Sequence, residues 1–166
     1  EKKINSTRAD KILIMLGEVD CGFIIWVRSK KYNITVDEQI EKCVNNLFEF
    51  INFILNKTDL KSEDIIVTGS ILPTISDSTN KIYLNGARAE VDVSQLERTN
   101  KTIEYNSMLK DLSQKNGYKY IDITSQIIGE NGLVKDDFLN KNPSHHHLDN
   151  ESTYKLWLSE IENVLK

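Results

Sequence analysis

The chain has 166 residues, of which 39% are hydrophobic and 28% charged, and this composition is typical of one soluble globular domain. The net charge of −4 gives no electrostatic reason to expect binding to nucleic acid or to an anionic membrane surface. No apolar run approaches the roughly 20 residues that a bilayer-spanning helix requires. The two cysteines are too few for a secreted scaffold held by disulfides, so the sequence predicts a reducing compartment, the cytoplasm.

The first half of the chain predicts a strand, a helix and a second strand. Residues 11–16, KILIML, form a continuous apolar run of the kind that a parallel sheet buries on both faces. Thr35 and Glu38 have the spacing of a capping box, and apolar residues at helical spacing then predict a helix to about residue 56. Residues 64–72 predict the second strand, and residues 73–92 predict a long polar loop.

The second half predicts a helix, a strand and a final helix. The first of these helices spans about residues 93–115 and ends at Gly117, where a left-handed cap belongs. Five of its apolar residues are expected to face inward: Leu96, Ile103, Met108, Leu109 and Leu112. Residues 118–123 alternate like a strand, and the last helix begins at Asp149 or Asn150 and runs to the end of the chain.

This order of elements predicts an α/β protein, a three-layer α/β/α sandwich with a parallel sheet. Ligands of such sheets bind at the carboxyl ends of the strands. Three polar segments fall at that edge: GEVDC at 17–21, TGSILPT at 68–74, and the loop that leads to a run of three histidines. The candidate chemistry of the chain therefore lies in these segments.

The histidines of the chain are consecutive, in the segment SHHHLD at 144–149. Neighbouring residues of a helix or strand diverge in direction, so this spacing is poor for a metal cluster. Two interpretations remain open: one histidine acts as a general acid or base, or the segment is a polar loop with solvated imidazoles.

Other candidate groups are weaker. Cys21 as a nucleophile is disfavoured because the neighbouring acids raise the pKa of a thiol. Ser70 follows a strand, but no strand-turn-helix elbow is written around it. Phe23, Trp26 and Arg28 in GFIIWVR are either core and surface residues or a platform for a sugar ring. No glycine-rich loop follows a predicted strand, which argues against a nucleotide or phosphate binder.

Three segments of the chain, in order, resemble the SGNH (GDSL-type) hydrolase superfamily, in its branch with GE(I/V)DC in place of the usual G-x-N-D block. They are LGEVDCGFIIWVRSKKY, GARAEVDVSQLERTNKTIEYNSMLKDL and GLVKDDFLNKNPSHHHLDN. The resemblance implies a flavodoxin-like α/β/α sandwich. It also implies a Ser-His-Asp triad that hydrolyses or transfers acyl groups, commonly acetyl esters of carbohydrates.

The resemblance assigns roles to individual residues. Residues 17–20 correspond to the third conserved block, with Gly17 contributing to the oxyanion hole, and His147 corresponds to the catalytic base. His146 is the alternative base, because the run of three histidines leaves the register open. Glu18 and Asp20 are expected to fix the floor of the cleft through hydrogen bonds to neighbouring backbone.

The chain departs from the family pattern in three ways. It has no G-D-S segment ahead of GEVDC. Val19 stands where the family has an oxyanion Asn, and a Val side chain cannot donate a hydrogen bond. Ser144 stands three residues before His147, where the family has the orienting acid. Three acids are candidates to replace it: Asp136, Asp137 and Asp149.

The sequence therefore predicts that residues 1–166 form a single SGNH-like domain, truncated at its N-terminus and lacking the first strand. We expect a serine-type acyl-ester hydrolase or O-acyltransferase that acts on a carbohydrate or similar ester, with no metal, organic cofactor or nucleic-acid partner. The nucleophilic serine would lie outside this chain. The alternative is an inactive module of the same fold that binds a glycan or a protein partner, with Phe23, Trp26 and Arg28 as its wall.

Overall fold

A computed structural model describes residues 9–166. Three parallel strands form one sheet: β1 (Ile12–Ile14), β2 (Ile65–Thr68) and β3 (Lys119–Ile121), in the order β1-β2-β3. Ile12 pairs with Ile65, and Ile66 pairs with Lys119. The parallel α/β architecture is thus confirmed, with strands shorter than the predicted 11–16, 64–72 and 118–123. The prediction of a missing first strand concerns chain that lies outside the described residues.

Six helices accompany the sheet within the described range. A π-helical turn (Asp20–Ile24) leads directly into α1 (Ile25–Tyr32), and the others are α2 (Val36–Leu55), α3 (Ala87–Glu90), α4 (Gln95–Asn116), α5 (Thr124–Ile127) and α6 (Asn150–Leu165). Three 3-10 turns lie at Ser62–Asp64, Lys81–Tyr83 and Asp136–Phe138. Among residues 9–166, no helix combines the length and the apolar character needed to cross a membrane.

The capping predictions are confirmed. The Thr35 hydroxyl accepts a hydrogen bond from Glu38 N–H, and the Glu38 carboxylate accepts one from Thr35 N–H at 2.8 Å. Gly117 takes the left-handed conformation after α4, and Asp149 caps the N-terminus of α6. These local signals act within four residues, so sequence alone places them well.

The helix formed by the π-helical turn and α1 is missing from the sequence prediction. Residues 20–32 follow an acidic turn and contain β-branched and aromatic residues, which do not suggest a helix. One signal was present: Asn33 ends α1 in the left-handed conformation, with φ of 51°, a position for which Asn is well suited.

Buried side chains form two hydrophobic clusters. The larger one includes Ile65 and Val67 of β2 together with residues of α1, α2 and α4. The smaller one is formed by Leu72, Ile123, Ile127, Val134 and Leu148, with residues of α6 against it. Two separate clusters around one small sheet are compatible with a three-layer α/β/α fold.

The inward face of α4 differs from the prediction. Leu109 is fully buried, and Met108 and Leu112 are partly buried, but Leu96 is 44% exposed and Ile103 36% exposed. Most of the buried positions are polar instead: Gln95, Arg98, Thr99, Thr102, Asn106 and Ser113. A hydrophobic periodicity cannot reveal such a face, because it registers apolar residues only. Gln95, Arg98 and Asn106 bond to backbone that is distant in the sequence, whereas Thr99 and Thr102 bond to carbonyls four residues earlier.

Candidate active site

The site begins at the turn after β1, where Gly17 has a φ of 109°. A Cβ atom at this position would lie 2.5 Å from the ring of Tyr105, so both the conformation and the space require glycine. The Gly17 carbonyl accepts the first helical hydrogen bond from Cys21 N–H at 2.8 Å. Glu18 is thereby held at the beginning of a helix, at the carboxyl edge of the sheet.

Glu18 contacts His147, which lies 129 residues away in the sequence. The two carboxylate oxygens lie 2.7 and 2.9 Å from His147 Nδ1. Burial raises the pKa of Glu18, while the neighbouring His147 and His145 lower it. With the Nδ1 proton directed to the carboxylate, Nε2 keeps the free lone pair, which is the arrangement of a general base with its orienting acid.

His146 lies beside this pair in a different environment. Its ring centroid is 3.9 Å from that of His147, and its ring meets Phe23 edge-on at 6.0 Å. Arg88 Nη1 lies 3.4 Å from His146 Nδ1. Burial, followed by the charges of His147, Arg88 and His145, lowers the pKa of His146 to about 4, so this imidazole is neutral at neutral pH. The carboxylate partner favours His147 over His146 as the base.

The segment after β2 supports the run of histidines. The Thr74 hydroxyl donates to the His145 carbonyl at 3.2 Å. Next to it, Gln95 donates to the Pro73 carbonyl at 2.9 Å, and Arg98 Nη2 donates to the Ile75 carbonyl at 2.7 Å. Polar residues of α4 therefore hold the backbone of residues 73–75, and Thr74 of that segment hydrogen-bonds to His145.

Asn106 fixes the beginning of the same segment. Its side chain accepts from Ser70 N–H at 2.7 Å and donates to the Ser70 carbonyl at 2.9 Å, and both residues are buried. One side chain thus satisfies both backbone groups of the residue that follows β2 and Gly69. The residues of α4 that matter here were not predicted from sequence, because their partners belong to another segment.

None of the three predicted orienting acids hydrogen-bonds to the His147 ring. Asp136 and Asp137 are exposed in a 3-10 turn, and Asp149 caps α6 through Ser152 N–H at 2.9 Å. The Glu18 carboxylate hydrogen-bonds to His147 and not, as expected, to neighbouring backbone. The Asp20 carboxylate makes no hydrogen bond within residues 9–166, and burial raises its pKa.

The predicted wall of Phe23, Trp26 and Arg28 is not a single surface. Phe23 and Trp26 are both buried; the Phe23 ring meets His146 edge-on, and the Trp26 indole N–H donates to the Cys21 carbonyl at 2.8 Å. The Arg28 guanidinium lies 5.5 Å from the ring of Tyr32. Burial raises the pKa of Cys21 well above its ordinary value, which agrees with its exclusion as a nucleophile.

A pocket of about 250 Å³ is lined by residues that include Phe23, Asp77, Lys81, Arg88 and Arg98, and two of them, Phe23 and Arg88, contact His146. Its wall combines an aromatic ring with several charged groups. Within residues 9–166, no serine, threonine or cysteine side chain hydrogen-bonds to a ring nitrogen of His147. The described part of the chain therefore holds a carboxylate hydrogen-bonded to an imidazole, without a hydroxyl or thiol hydrogen-bonded to either.

Comparisons of the chain with protein-family models, curated proteins and solved structures found no match.

Proposed function

We propose that this chain carries the acid and base of a serine-type acyl-ester hydrolase or O-acyltransferase of SGNH type. The observation that carries the proposal is the Glu18–His147 pair, with 2.7 Å between Oε1 and Nδ1, at the carboxyl edge of a parallel sheet. The resemblance named His147 from sequence, and the Glu18 carboxylate beside it offers the orienting acid that this chain lacks at position 144. The proposal includes a flavodoxin-like α/β/α sandwich as the fold. The three-stranded parallel sheet is compatible with that fold.

In the proposed reaction, His147 Nε2 takes the proton of a serine hydroxyl while the serine oxygen bonds to the ester carbonyl carbon. The tetrahedral intermediate then breaks its bond to the alcohol, which receives the proton from His147. Water or an acceptor hydroxyl attacks the acyl-serine through the same base, giving hydrolysis or transfer. In this proposal the serine would lie outside this chain.

The beginning of the helix after Gly17 is suited to hold the oxyanion. Because Cys21 N–H makes the first helical hydrogen bond, the N–H groups of Glu18, Val19 and Asp20 have no intrahelical acceptor. Such groups, at the positive end of a helix, stabilise developing negative charge. Backbone N–H groups would therefore take over the role of the family's Asn side chain, which Val19 cannot fill.

The pocket beside His146 supports a polar substrate. Phe23 offers an apolar ring, and Arg88 and Lys81 offer donors to hydroxyl or carbonyl oxygens. A carbohydrate ester would complement this lining, because it has a ring that can pack on Phe23 and oxygen atoms that can accept hydrogen bonds. This supports the assignment of a carbohydrate or similar ester as substrate.

The test is labelling of the complete natural polypeptide with a fluorophosphonate, followed by mass spectrometry to locate the modified serine. We expect one labelled serine, and we expect His147→Gln to slow labelling by about 10²- to 10⁴-fold because the general base is lost. Glu18→Gln should slow it at least about tenfold, since it removes the group that orients the imidazole.

His145→Asn is the matched control, because it removes a neighbouring imidazole while the amide oxygen can still accept the His147 N–H, which His145 Nδ1 accepts at 3.3 Å. Its labelling rate should stay near that of the wild type. An absence of labelling, or equal rates for wild type and His147→Gln, would overturn the hydrolase proposal.

A second candidate function is an inactive module that binds a glycan or a protein partner. The observation that favours it is that no hydroxyl or thiol within residues 9–166 contacts His147. Saturable binding of a glycan to the complete polypeptide, without ester cleavage or serine labelling, would support this function over the first.

A further inference from the structure

We infer that Glu18, His146 and His147 form a binding site for a borderline divalent cation of the Zn²⁺ or Co²⁺ type. One ligand atom from each residue lies within 4.8 Å of the other two. Two imidazoles and one carboxylate are an established ligand set for zinc, with a fourth position left for water. This inference concerns binding and does not require the proposed esterase activity.

The three histidines come together because their segment is neither helix nor strand. Residues 144–149 form an irregular loop before α6, closed by an antiparallel bridge between Leu139 and Leu148. The divergence of neighbouring side chains, which argues against a metal cluster in regular structure, does not apply to such a loop. As a result, the rings of His146 and His147 lie 3.9 Å apart between centroids and close to the Glu18 carboxylate.

The geometry requires only side-chain adjustment. Ligand bonds of about 2.0–2.2 Å place the donor atoms of a tetrahedral zinc site about 3.3 Å apart. The Glu18–His147 contact of 2.7 Å would widen, and the widest separation, at most 4.8 Å, would narrow. The His147 side chain is 49% exposed, so a cation can enter from solvent and the ring can rotate.

Arg88 opposes the cation and provides a test of its own. Its guanidinium lies 3.4 Å from His146 Nδ1, so a bound metal meets a positive charge at short range. Arg88→Gln removes this charge and leaves the three ligands in place. We therefore expect this variant to bind Zn²⁺ more tightly than the wild type.

The site differs from a simple histidine tract in its dependence on Glu18. A contiguous run of imidazoles binds transition metals without a folded chain, whereas Glu18 is 129 residues from His147 and joins the ligands only in the folded protein. Glu18→Gln keeps the size of the side chain and weakens its ability to bind a metal. Its effect on affinity separates the two kinds of binding.

The experiment is calorimetric titration of the complete natural polypeptide with Zn²⁺, together with the visible absorption of Co²⁺. We expect one Zn²⁺ per chain, and an affinity at least about tenfold lower in Glu18→Gln, His146→Gln and His147→Gln. His145→Asn, which keeps an acceptor for the His147 N–H, should change it less than about threefold, and Arg88→Gln should raise it. Circular dichroism confirms that each variant is folded.

Two outcomes would overturn the site. One is the absence of stoichiometric binding in both the wild type and Arg88→Gln. The other is binding that falls equally in all three histidine variants and is unchanged by Glu18→Gln, which would identify a histidine tract only.

If the proposed function holds, metal binding at this site should inhibit the reaction. A metal bound at His147 and Glu18 occupies the base, so Zn²⁺ should slow fluorophosphonate labelling and a chelator should restore it. Because binding is measured without activity, failure of the esterase proposal leaves the metal result intact, and failure of the metal result leaves the labelling test intact.

Discussion

The two long helices, α2 and α4, pack into the same hydrophobic cluster, but the buried face of α2 is apolar and that of α4 is mostly polar. The buried face of α2 consists almost entirely of apolar residues, including Ile40, Val44, Leu47 and Ile51. The buried face of α4 contains only Tyr105 and Leu109 as fully buried large hydrophobic residues, and its remaining buried positions are polar. The first helix stabilises the fold, whereas the second uses its buried groups to hold the segment that carries the site.

This difference has a physical basis. Burying an apolar side chain is favourable wherever it packs, so α2 needs no particular partner. A buried polar group is tolerated only when a specific acceptor or donor meets it. The partners of Asn106, Gln95 and Arg98 are backbone groups of residues 70–75, so α4 specifies one position of that segment.

The largest effect on stability is expected from the apolar helix. Ile51 is fully buried, and Ile51→Ala should lower the free energy of unfolding by about 2–5 kcal/mol through lost burial and a residual cavity. The Zn²⁺ affinity of the folded fraction should be unchanged, since Ile51 does not contact the site. Urea denaturation and metal titration measure the two quantities.

Phe50→Ala is the control on the same helix. It removes a larger side chain, but one that is 44% exposed, so its cost should be clearly smaller than that of Ile51→Ala. Equal losses in the two variants would contradict the assigned burial of α2.

A substitution on the polar face of α4 is expected to lower stability less than Ile51→Ala, but to lower Zn²⁺ affinity more. Asn106→Ala leaves the buried N–H and carbonyl of Ser70 without their partner and should cost about 1–3 kcal/mol. The segment that supports His145 through Thr74 should loosen. Zn²⁺ affinity should therefore fall in Asn106→Ala while it is retained in Ile51→Ala.

Asn116→Ala provides the matched control for this change. Asn116 lies on the same helix and donates to the Leu112 carbonyl at 2.7 Å, but it is exposed, so water replaces the lost bond. Its effect should stay within about 0.5 kcal/mol. If Asn106→Ala behaves like Asn116→Ala, the polar face does not position the site.

The smallest effect on stability is expected from a buried polar group of α4 that has no hydrogen-bond partner within residues 9–166. The Ser113 hydroxyl is buried on α4 without a hydrogen-bond partner among the described residues. Ser113→Ala removes this unsatisfied group and improves helix propensity, so stability should be unchanged or rise by up to about 1 kcal/mol. A loss above about 1 kcal/mol in urea denaturation would show that this hydroxyl has a partner.

Sequence reasoning succeeded where the determining forces are local. The capping box at Thr35 and Glu38 and the left-handed Gly117 were predictable, because each depends on a few neighbouring residues. It failed at α1, whose residues have weak helix propensity and are stabilised by burial of Ile25 and Trp26. It also failed for Leu96 and Ile103, because the buried face of α4 is decided by distant partners.

The candidate site divides in the same way. The family resemblance named His147 and Gly17, and the structure shows a positive φ at Gly17, a conformation that favours glycine. Glu18 was assigned a backbone role, and the orienting acid was sought among Asp136, Asp137 and Asp149. No local signal joins Glu18 to a histidine 129 residues later, so only the folded chain reveals the pair.

By itself, then, the sequence determined the alternation of strands and helices, their caps, and the edge of the sheet at which polar segments gather. Those features follow from periodicity and short-range hydrogen bonds, which act along the chain. Only the tertiary structure decided which acid meets which imidazole, which helix face is polar, and that consecutive histidines converge. Those outcomes depend on contacts across space, such as the hydrogen bonds of Asn106 to Ser70 and of His147 to Glu18, which join residues far apart in the sequence.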